Sequence, residues 1–276
     1  MIDSKTKVVG VVGKPIGHSV SPAMHNAAFS NLGLNYVYLA FEVSDLDGAI
    51  GGMRALDVRG FNVTIPYKVD VLKYLDEVDG LAKMIGAVNT VVNDDGMLTG
   101  YNTDCSGAVD ALVSKVKLKG RTVAVIGAGG AGRAVAFGVA EMGAHVLVVN
   151  RTLSRGEGLV SSVNGFFAGS AECGTMDDLK DASVIVNTTP VGMMPDVGGT
   201  PVLKKFLRKT HVVMDIVYNP VETRFLRDAK SLGCVTINGV EMFVGQGAKS
   251  FELFCGKKAP KGVMWDAVLK LLVSRV

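Results

Sequence analysis

The sequence predicts an α/β protein built as two domains, and three observations lead to that prediction. A chain of 276 residues is long enough for two domains of ordinary size, each with its own buried core. Hydrophobic residues make up 48% of the chain and charged residues 20%, with 34 glycines, which is typical of a folded protein punctuated by turns. Short apolar runs alternate with helix-like segments through both halves, which indicates parallel strands joined by helices.

The first half of the chain alternates between strands and helices from Val8 onward. The elements predicted there are strands at 8–12, 36–41 and 60–63 and helices at 22–32, 46–55 and 68–74. The apolar segment 87–92 precedes Asp94-Asp95-Gly96, which is typical of a hairpin turn. These elements predict a first domain over residues 1–102 with a mostly parallel sheet.

The second half begins with a predicted helix at 103–116 and the turn Lys119-Gly120-Arg121. The strands predicted after that turn are 122–126, 145–149, 184–187, 212–215 and 235–237. Their continuous apolar character indicates a buried parallel sheet with helical crossovers, in a second domain over residues 103–242. Segments 242–253 and 265–276 are predicted to be helical, but their pattern does not say which domain they pack on.

A glycine-rich turn follows the first strand of the second domain. Residues 127–132 read Gly-Ala-Gly-Gly-Ala-Gly between that strand and a predicted helix at 133–142, which is the strand-turn-helix setting of a Rossmann dinucleotide site. Gly127 permits the tight turn, Gly129 lets a pyrophosphate approach, and Gly132 lets helix and strand pack closely. The residues expected to contact the cofactor here are Gly127, Ala128, Gly129, Gly130 and Ala131. An ordinary glycine-rich connection is the alternative.

The end of the next strand distinguishes NADP from NAD. An acidic residue at this place would bind the ribose hydroxyls of NAD, but the chain has Asn150-Arg151-Thr152. A guanidinium pairs bidentately with phosphate and stacks on adenine, so Arg151 favours NADP. Arg155 either adds a second cationic contact or is a solvated arginine on a helix surface, and the residues do not decide between these.

Polar residues follow the predicted strands of the first domain, where open parallel sheets bind ligands. These residues are Ser19, Ser21, Asn62, Thr64, Lys68, Asn89, Asn102 and Asp104. Hydroxyls both donate and accept hydrogen bonds, and serine and threonine also bind acid groups. The set therefore predicts a small, polyhydroxylated substrate that carries a carboxylate.

Lys68 is the candidate proton donor for such a reaction. Hydride delivery to a ketone needs a proton at the developing alkoxide, and no His-Asp pair or Tyr-x-x-x-Lys segment stands out for that task. A carboxylate such as Asp104 can position a lysine, while burial tunes its pKa. On residue type alone, Lys68 would be a surface lysine at the start of a helix.

Several classes of protein are excluded by charge and cysteine spacing. A formal net charge of +3 with scattered basic residues is unlike a nucleic-acid binder. Cys105, Cys173, Cys234 and Cys255 lie far apart without zinc-ligand spacing, so we expect reduced thiols and no metal. We also expect no membrane association and a cytoplasmic protein, since no signal peptide and no apolar run of about 20 residues is present.

Several ordered segments of the chain are similar to the shikimate dehydrogenase family. In the first half they are 13–16 (GKPI), 18–22 (HSVSP), His25-Asn26, 62–68 (NVTIPYK), 86–90 (GAVNT) and 100–104 (GYNTD). The resemblance implies that Ser19 and Ser21 contact a substrate carboxylate. It also implies that Thr64, Asn89 and Asp104 bind substrate, with Lys68 as the catalytic residue and Asp104 as its partner.

The second half carries further segments that resemble the same family. They are 127–132, Asn150-Arg151-Thr152, 187–193 (NTTPVGM), 215–220 (DIVYNP) and the segment containing Gly239, Met242 and Gln246. The resemblance implies that Asn150, Thr152, Thr188, Ile216 and Gly239 lie at the cofactor, and that Tyr218 and Gln246 contact the substrate. It further implies that residues 243–276 return to complete the first domain.

The resemblance implies an NADP-dependent oxidoreductase that reduces 3-dehydroshikimate to shikimate in the shikimate (chorismate) pathway of aromatic amino acid biosynthesis. Lys68 would exchange the proton while Asp104 orients it, and no metal would take part. The residues leave a homodimer open.

Three other functions remain compatible with the sequence. A quinate or shikimate dehydrogenase that prefers NAD would ordinarily need an acid where Arg151 stands. A non-catalytic NADP sensor could use the same scaffold, although Lys68 and Asp104 are both present. An enzyme for an altered ring acid could differ only around Ser19, Ser21 and Tyr218.

Overall fold

The computed structural model describes residues 2–273, which divide into two compact units. The first unit holds the chain up to Thr103 and again from Gln246 onward, and the second holds Asp104–Gly245. Each unit is an α/β structure with a six-stranded sheet. The predicted α/β class with two domains, and the return of the C-terminal helices to the first of them, is therefore confirmed. Within the described residues, no helix is both long and apolar enough to cross a membrane.

The first unit contains a mixed sheet. Its elements are β1 (Lys7–Gly13), α1 (Ser21–Asn31), β2 (Tyr36–Glu42), α2 (Leu46–Ala55), β3 (Gly60–Val63), β4 (Glu77–Val78), α3 (Gly80–Ile85), β5 (Thr90–Asp94) and β6 (Met97–Tyr101). The strand order is β2-β1-β3-β5-β6-β4. β1 pairs in parallel with β2 and β3, whereas β5 runs antiparallel to β3 and β6. The predicted hairpin is present, with positive φ angles at Asp95 and Gly96.

The prediction of a helix at 68–74 is wrong in the type of helix and in its first residue. A short 3-10 helix occupies Asp70–Tyr74 instead. The carbonyl of Lys68 accepts a hydrogen bond from the N–H of Val88 at 2.7 Å, so it is engaged by a neighbouring segment, and the N–H of Leu72 bonds to Val69. This places Lys68 in the connection after β3, at the carboxyl end of a buried strand.

The second unit has a fully parallel sheet. Its elements are α4 (Thr103–Val113), β7 (Thr122–Ile126), α5 (Gly130–Glu141), β8 (His145–Val149), α6 (Leu153–Asn164), β9 (Ala171–Cys173), β10 (Val184–Asn187), β11 (Val212–Asp215), α7 (Arg224–Ser231) and β12 (Val235–Ile237). The order β12-β11-β10-β7-β8-β9 reverses its direction between β7 and β10. This is the doubly wound arrangement in which ligands bind at the carboxyl ends beside the reversal.

Some predicted bounds in the second half differ from the structure. α4 ends at Val113, before the predicted 116, because the N–H groups of Lys115 and Val116 both bond to Leu112 in a closing turn. α5 begins at Gly130, inside the glycine motif, since the first turn of a helix tolerates residues of low helix propensity. The three-residue strand β9 was not predicted, because it is short and two of its three residues, Glu172 and Cys173, are exposed.

The C-terminal segments form α8 (Gly239–Cys255) and α9 (Lys261–Val273). The helix predicted at 265–276 starts earlier than expected, and its last three residues lie outside the described part of the chain. Phe251 of α8 is fully buried and stacks on Phe29 of α1 at 4.8 Å, and α9 packs on α1. These apolar contacts hold α9 and the part of α8 from Gln246 onward on the first unit.

Candidate active site

Two serines open α1 at the end of the loop that follows β1. Ser21 is buried at the first residue of the helix, and its N–H donates to the Oγ of the half-buried Ser19 at 3.3 Å. Thr64 lies half-buried directly after β3, and its N–H donates to the carbonyl of Val12 in β1. The predicted hydroxyls therefore lie at the carboxyl ends of the neighbouring strands β1 and β3.

Lys68 is half-buried in the same region, in the connection after β3. Its main chain is bonded to Val88, one residue before Asn89. Asp104 is 6% exposed in the first turn of α4 and belongs to the second unit.

Asn89 lies in a network of buried polar side chains in the first unit. Its Oδ1 accepts from the N–H of Thr103 at 2.7 Å, and its Nδ2 donates to Thr103 Oγ1 at 3.0 Å and to Gln246 Oε1 at 3.5 Å. Asn102, also buried, donates from Nδ2 to the carbonyl of Ala87 at 2.9 Å. The amides of Asn89 and Gln246, both predicted to bind substrate, are thus brought together.

The glycine turn of the second unit has the backbone geometry of a phosphate site. Gly127 adopts φ +110°, which side chains rarely allow, and a Cβ at Gly132 would collide with the carbonyl of Gly127. Thr188 supports the turn, because its hydroxyl donates to the carbonyl of Ile126 at 2.8 Å. Since α5 begins at Gly130, the N–H groups of its first turn lack intrahelical acceptors and are available to an anion.

Asn150 connects this turn to the end of β8. Its Oδ1 accepts from the N–H of Ala128 at 3.1 Å, and its Nδ2 donates to the carbonyl of Thr152 at 2.7 Å. Arg151, Thr152 and Arg155 have exposed side chains just beyond β8. A guanidinium in this position is available to a phosphate carried on the adenine ribose.

A buried carboxylate fixes the loops after β10 and β11. Asp215, fully buried, accepts from Asn187 Nδ2 at 2.9 Å, from the N–H of Val217 at 3.0 Å and from the hydroxyl of Thr223 at 2.7 Å. Burial raises the pKa of Asp215 to about 6, although these three donors oppose the rise. Thr188 directly follows Asn187, and Ile216 directly follows Asp215. The cluster therefore fixes the positions of Thr188 and Ile216.

Tyr218 and Gly239 lie beyond the same strand. Tyr218 is half-buried and its ring packs on Phe243 of α8 at a centroid distance of 4.4 Å. Gly239 is buried at the first residue of α8 and packs on the main chain of Ile216 and Val217. The structure therefore gathers Thr188, Ile216, Tyr218 and Gly239 near the carboxyl ends of β10 and β11.

The sequence did not reveal the residues that support the predicted contacts. They are Asp215, Asn187 and Thr223 in the second unit and Thr90, Thr103 and Ser250 in the first. Asn187 and Asp215 each stand as a polar residue at the end of an apolar strand, and Thr90 and Thr103 fall in segments that resemble the family, but the sequence assigned no role to any of them. Among residues 2–273, no group of three or more His, Cys, Asp or Glu side chains is arranged to hold a metal ion.

Three family models match the chain. The substrate binding domain of shikimate dehydrogenase matches residues 11–91, the model described as shikimate / quinate 5-dehydrogenase matches 110–191, and the shikimate 5'-dehydrogenase C-terminal domain matches 239–269. These models cover the loops after β1 and β3, the glycine turn and α8.

Curated relatives and solved structures agree with the family models. The shikimate dehydrogenase (NADP(+)) of Methanocaldococcus jannaschii is 44% identical, over 98% of each chain. A crystal structure of a shikimate dehydrogenase in complex with NADP+ superposes with a TM-score of 0.95 at 43% identity, covering 99% of this chain and 98% of the other. A quinate dehydrogenase from Corynebacterium glutamicum in complex with NAD is 34% identical, with a TM-score of 0.89 and coverage of 96% and 99%.

Proposed function

The chain belongs to the shikimate dehydrogenase family, and from that premise we propose how its residues carry out the reaction. The enzyme is an NADP-dependent oxidoreductase that interconverts 3-dehydroshikimate and shikimate, in the pathway to the aromatic amino acids. One observation carries this conclusion: the match to NADP-dependent shikimate dehydrogenases extends over nearly the whole chain.

The second unit has the features that NADP requires. Gly127 and the first turn of α5 would hold the pyrophosphate through main-chain N–H groups, and Arg151 would pair with the 2′-phosphate. NADPH supplies a hydride to the ring carbonyl when bound. We assign further cofactor contacts to Ala128, Gly129, Gly130, Ala131, Asn150, Thr152, Arg155, Thr188, Ile216 and Gly239.

Lys68 is the proton donor in the direction of reduction. The carbonyl oxygen gains negative charge as its carbon is reduced, and the Nζ of Lys68 transfers a proton to that oxygen to give the hydroxyl. In the reverse direction, neutral Nζ accepts the hydroxyl proton. Asp104 orients the lysine and a ring hydroxyl through its carboxylate. The half-buried position of Lys68, with its main chain bonded to Val88, supports this role because it limits the freedom of the residue.

The substrate is held by neutral hydrogen-bonding groups. Ser19 and Ser21 bind the carboxylate through their hydroxyls, at a helix N-terminus that favours negative charge. Thr64, Asn89, Tyr218 and Gln246 contact the ring hydroxyls. The contact between the amides of Asn89 and Gln246 supports their assignment to the same face of the ring.

The remaining assignments follow from these roles. Residues 1–102 with 243–276 bind substrate, and residues 103–242 bind NADP. The partners of the protein are these small molecules rather than nucleic acid, and it works in the cytoplasm as a homodimer. Its four cysteines, which form no disulfide in the described structure, are consistent with a reducing compartment.

A four-way assay tests the function. Purified protein receives shikimate or quinate with NADP or NAD in turn, and the absorbance of the reduced nicotinamide is followed. Shikimate with NADP should react fastest. Quinate with NAD reacting fastest would favour the second candidate, a quinate dehydrogenase like the Corynebacterium relative. No reaction in any combination would contradict the proposal and favour a sensor or an altered ring acid.

A further inference from the structure

We propose that Ser250 is a positioning residue for substrate binding, which acts through Asn89 and Gln246. This inference rests on the proposed function, because it assumes that these two amides bind shikimate. Ser250 lies in α8 with 0% exposure, one helical turn after Gln246. Its hydroxyl lies within 3.1 Å of Asn62 Nδ2, Thr90 Oγ1, Thr103 Oγ1 and the carbonyl of Gln246.

Backbone groups fix the orientation of both buried amides in this network. A backbone N–H can only donate, so the N–H of Thr103 at 2.7 Å requires Oδ1 of Asn89 on its side. A backbone carbonyl can only accept, so the carbonyl of Asn89 at 3.2 Å requires Nδ2 of Asn62 on its side. The oxygen of Asn62 then accepts the hydroxyl hydrogen of Tyr38 at 2.7 Å.

These orientations determine what the Ser250 hydroxyl does. Because Nδ2 of Asn62 can only donate, Ser250 accepts from it at 2.9 Å. The Ser250 hydroxyl has one hydrogen to donate. The main-chain carbonyl of Gln246, at 3.1 Å, can only accept, and it receives this hydrogen bond. The second lone pair of Ser250 is within reach of the hydroxyls of Thr90 and Thr103.

Ser250 therefore connects two groups assigned to the substrate. On one side it bonds the turn of α8 that carries Gln246, and on the other it contacts Thr103, which holds both ends of the Asn89 amide. With Oδ1 of Asn89 engaged by Thr103, the amide presents its Nδ2 toward Gln246 as a donor. Both hydrogens of this Nδ2 have acceptors, Thr103 Oγ1 and Gln246 Oε1, so a substrate oxygen would replace Gln246 Oε1 as the acceptor while the amide of Asn89 keeps its orientation.

The substitution Ser250→Ala tests this role by removing one oxygen atom. The KM for shikimate should rise about three- to tenfold, as expected for the loss of one buried hydroxyl that forms hydrogen bonds. The kcat and the KM for NADP should stay within a factor of two of wild type. Ser250→Cys, which keeps the size but bonds weakly, should raise the KM for shikimate in the same way.

Two controls separate positioning from a purely structural role. Ser162→Ala removes a hydroxyl that bonds a carbonyl four residues earlier on α6, outside the network, and should leave both KM values unchanged. In a background that carries both Asn89→Ala and Gln246→Ala, Ser250→Ala should change the affinity for shikimate by less than twofold, because both groups it positions are gone. Shikimate affinity is measured by calorimetry, and folding is monitored by circular dichroism.

The outcomes distinguish this inference from the proposed function. If wild type oxidises shikimate but Ser250→Ala loses only thermal stability, the hydroxyl is structural and the inference is wrong. The same conclusion follows if the effect of Ser250→Ala persists fully without Asn89 and Gln246. If wild type neither binds nor oxidises shikimate, the proposed function fails and this inference fails with it.

Discussion

The two units differ in how they form the binding sites that we propose for them. In the first unit, polar side chains are buried and bonded to each other, as Asn62, Asn89, Thr90 and Ser250 show. In the second unit, the cofactor side relies on backbone shape at Gly127 and on the exposed side chains of Arg151 and Arg155. The glycine turn is shaped by the main chain, and the second unit adds one buried polar cluster, around Asp215, behind the loops after β10 and β11.

This difference fits the ligands that we propose for the two units. Ring hydroxyls and a ring carbonyl are distinguished only by precisely placed donors and acceptors, so the supporting network must hold its amides in one orientation. A pyrophosphate is a large anion that main-chain N–H groups bind well, and the 2′-phosphate on the adenine ribose of NADP can pair with an exposed arginine at the surface. Substitutions should therefore affect the two halves differently.

The largest expected effect tests whether the first unit supplies the proton. Lys68→Ala should lower kcat about a thousandfold, because the developing alkoxide loses its proton donor, while shikimate binding largely survives. The rate is followed by nicotinamide absorbance and binding by calorimetry. Lys73→Ala removes a nearby exposed lysine and should retain wild-type kcat. Near-normal turnover of Lys68→Ala would show that another group donates the proton.

The next effect tests whether exposed side chains suffice for cofactor choice in the second unit. Arg151→Ala should raise the KM for NADP about ten- to a hundredfold, as expected for loss of a charge-assisted phosphate contact, with little change for NAD. Arg121→Ala removes an exposed arginine just before β7 and should change neither value. An unchanged ratio of NADP to NAD activity in Arg151→Ala would show that Arg151 does not contact the 2′-phosphate.

The smallest effect concerns the buried polar core of the first unit. His25 is fully buried, stacks on Tyr38 at 4.2 Å, and has no hydrogen-bond partner at either ring nitrogen. Burial lowers the pKa of His25 to about 3. An unfolded histidine takes up a proton near pH 6.5, so the folded state loses stability as the pH falls below that value.

The free energy of unfolding contributed by His25 should fall by about 1.4 kcal/mol per pH unit between pH 6 and pH 4. The free energy of unfolding is measured with denaturant at several pH values for wild type and for His25→Phe. The difference between their slopes against pH gives the contribution of His25. His18→Phe, at an exposed position, should keep the wild-type slope. Equal slopes for wild type and His25→Phe would mean that His25 is protonated or solvated in the folded protein.

Local patterns predicted those parts of the fold that depend on local chemistry. The predicted strands 60–63, 122–126, 145–149, 184–187 and 212–215 agree with the structure to the residue, because each is a short apolar run ended by glycine or polar residues. The 3-10 helix at Asp70–Tyr74 was mistaken for an α-helix, since the bond between Lys68 and Val88 joins segments far apart in sequence.

The sequence by itself determined the α/β class, the glycine turn, the preference for NADP and the candidate residues Lys68, Asp104 and Arg151. These depend on residue type and spacing along the chain. Only the tertiary structure decided that Asn62, Thr90, Thr103 and Ser250 meet, and that Asp215 fixes two loops. A buried polar group must find its partner wherever the fold places one, and sequence separation carries no information about that partner.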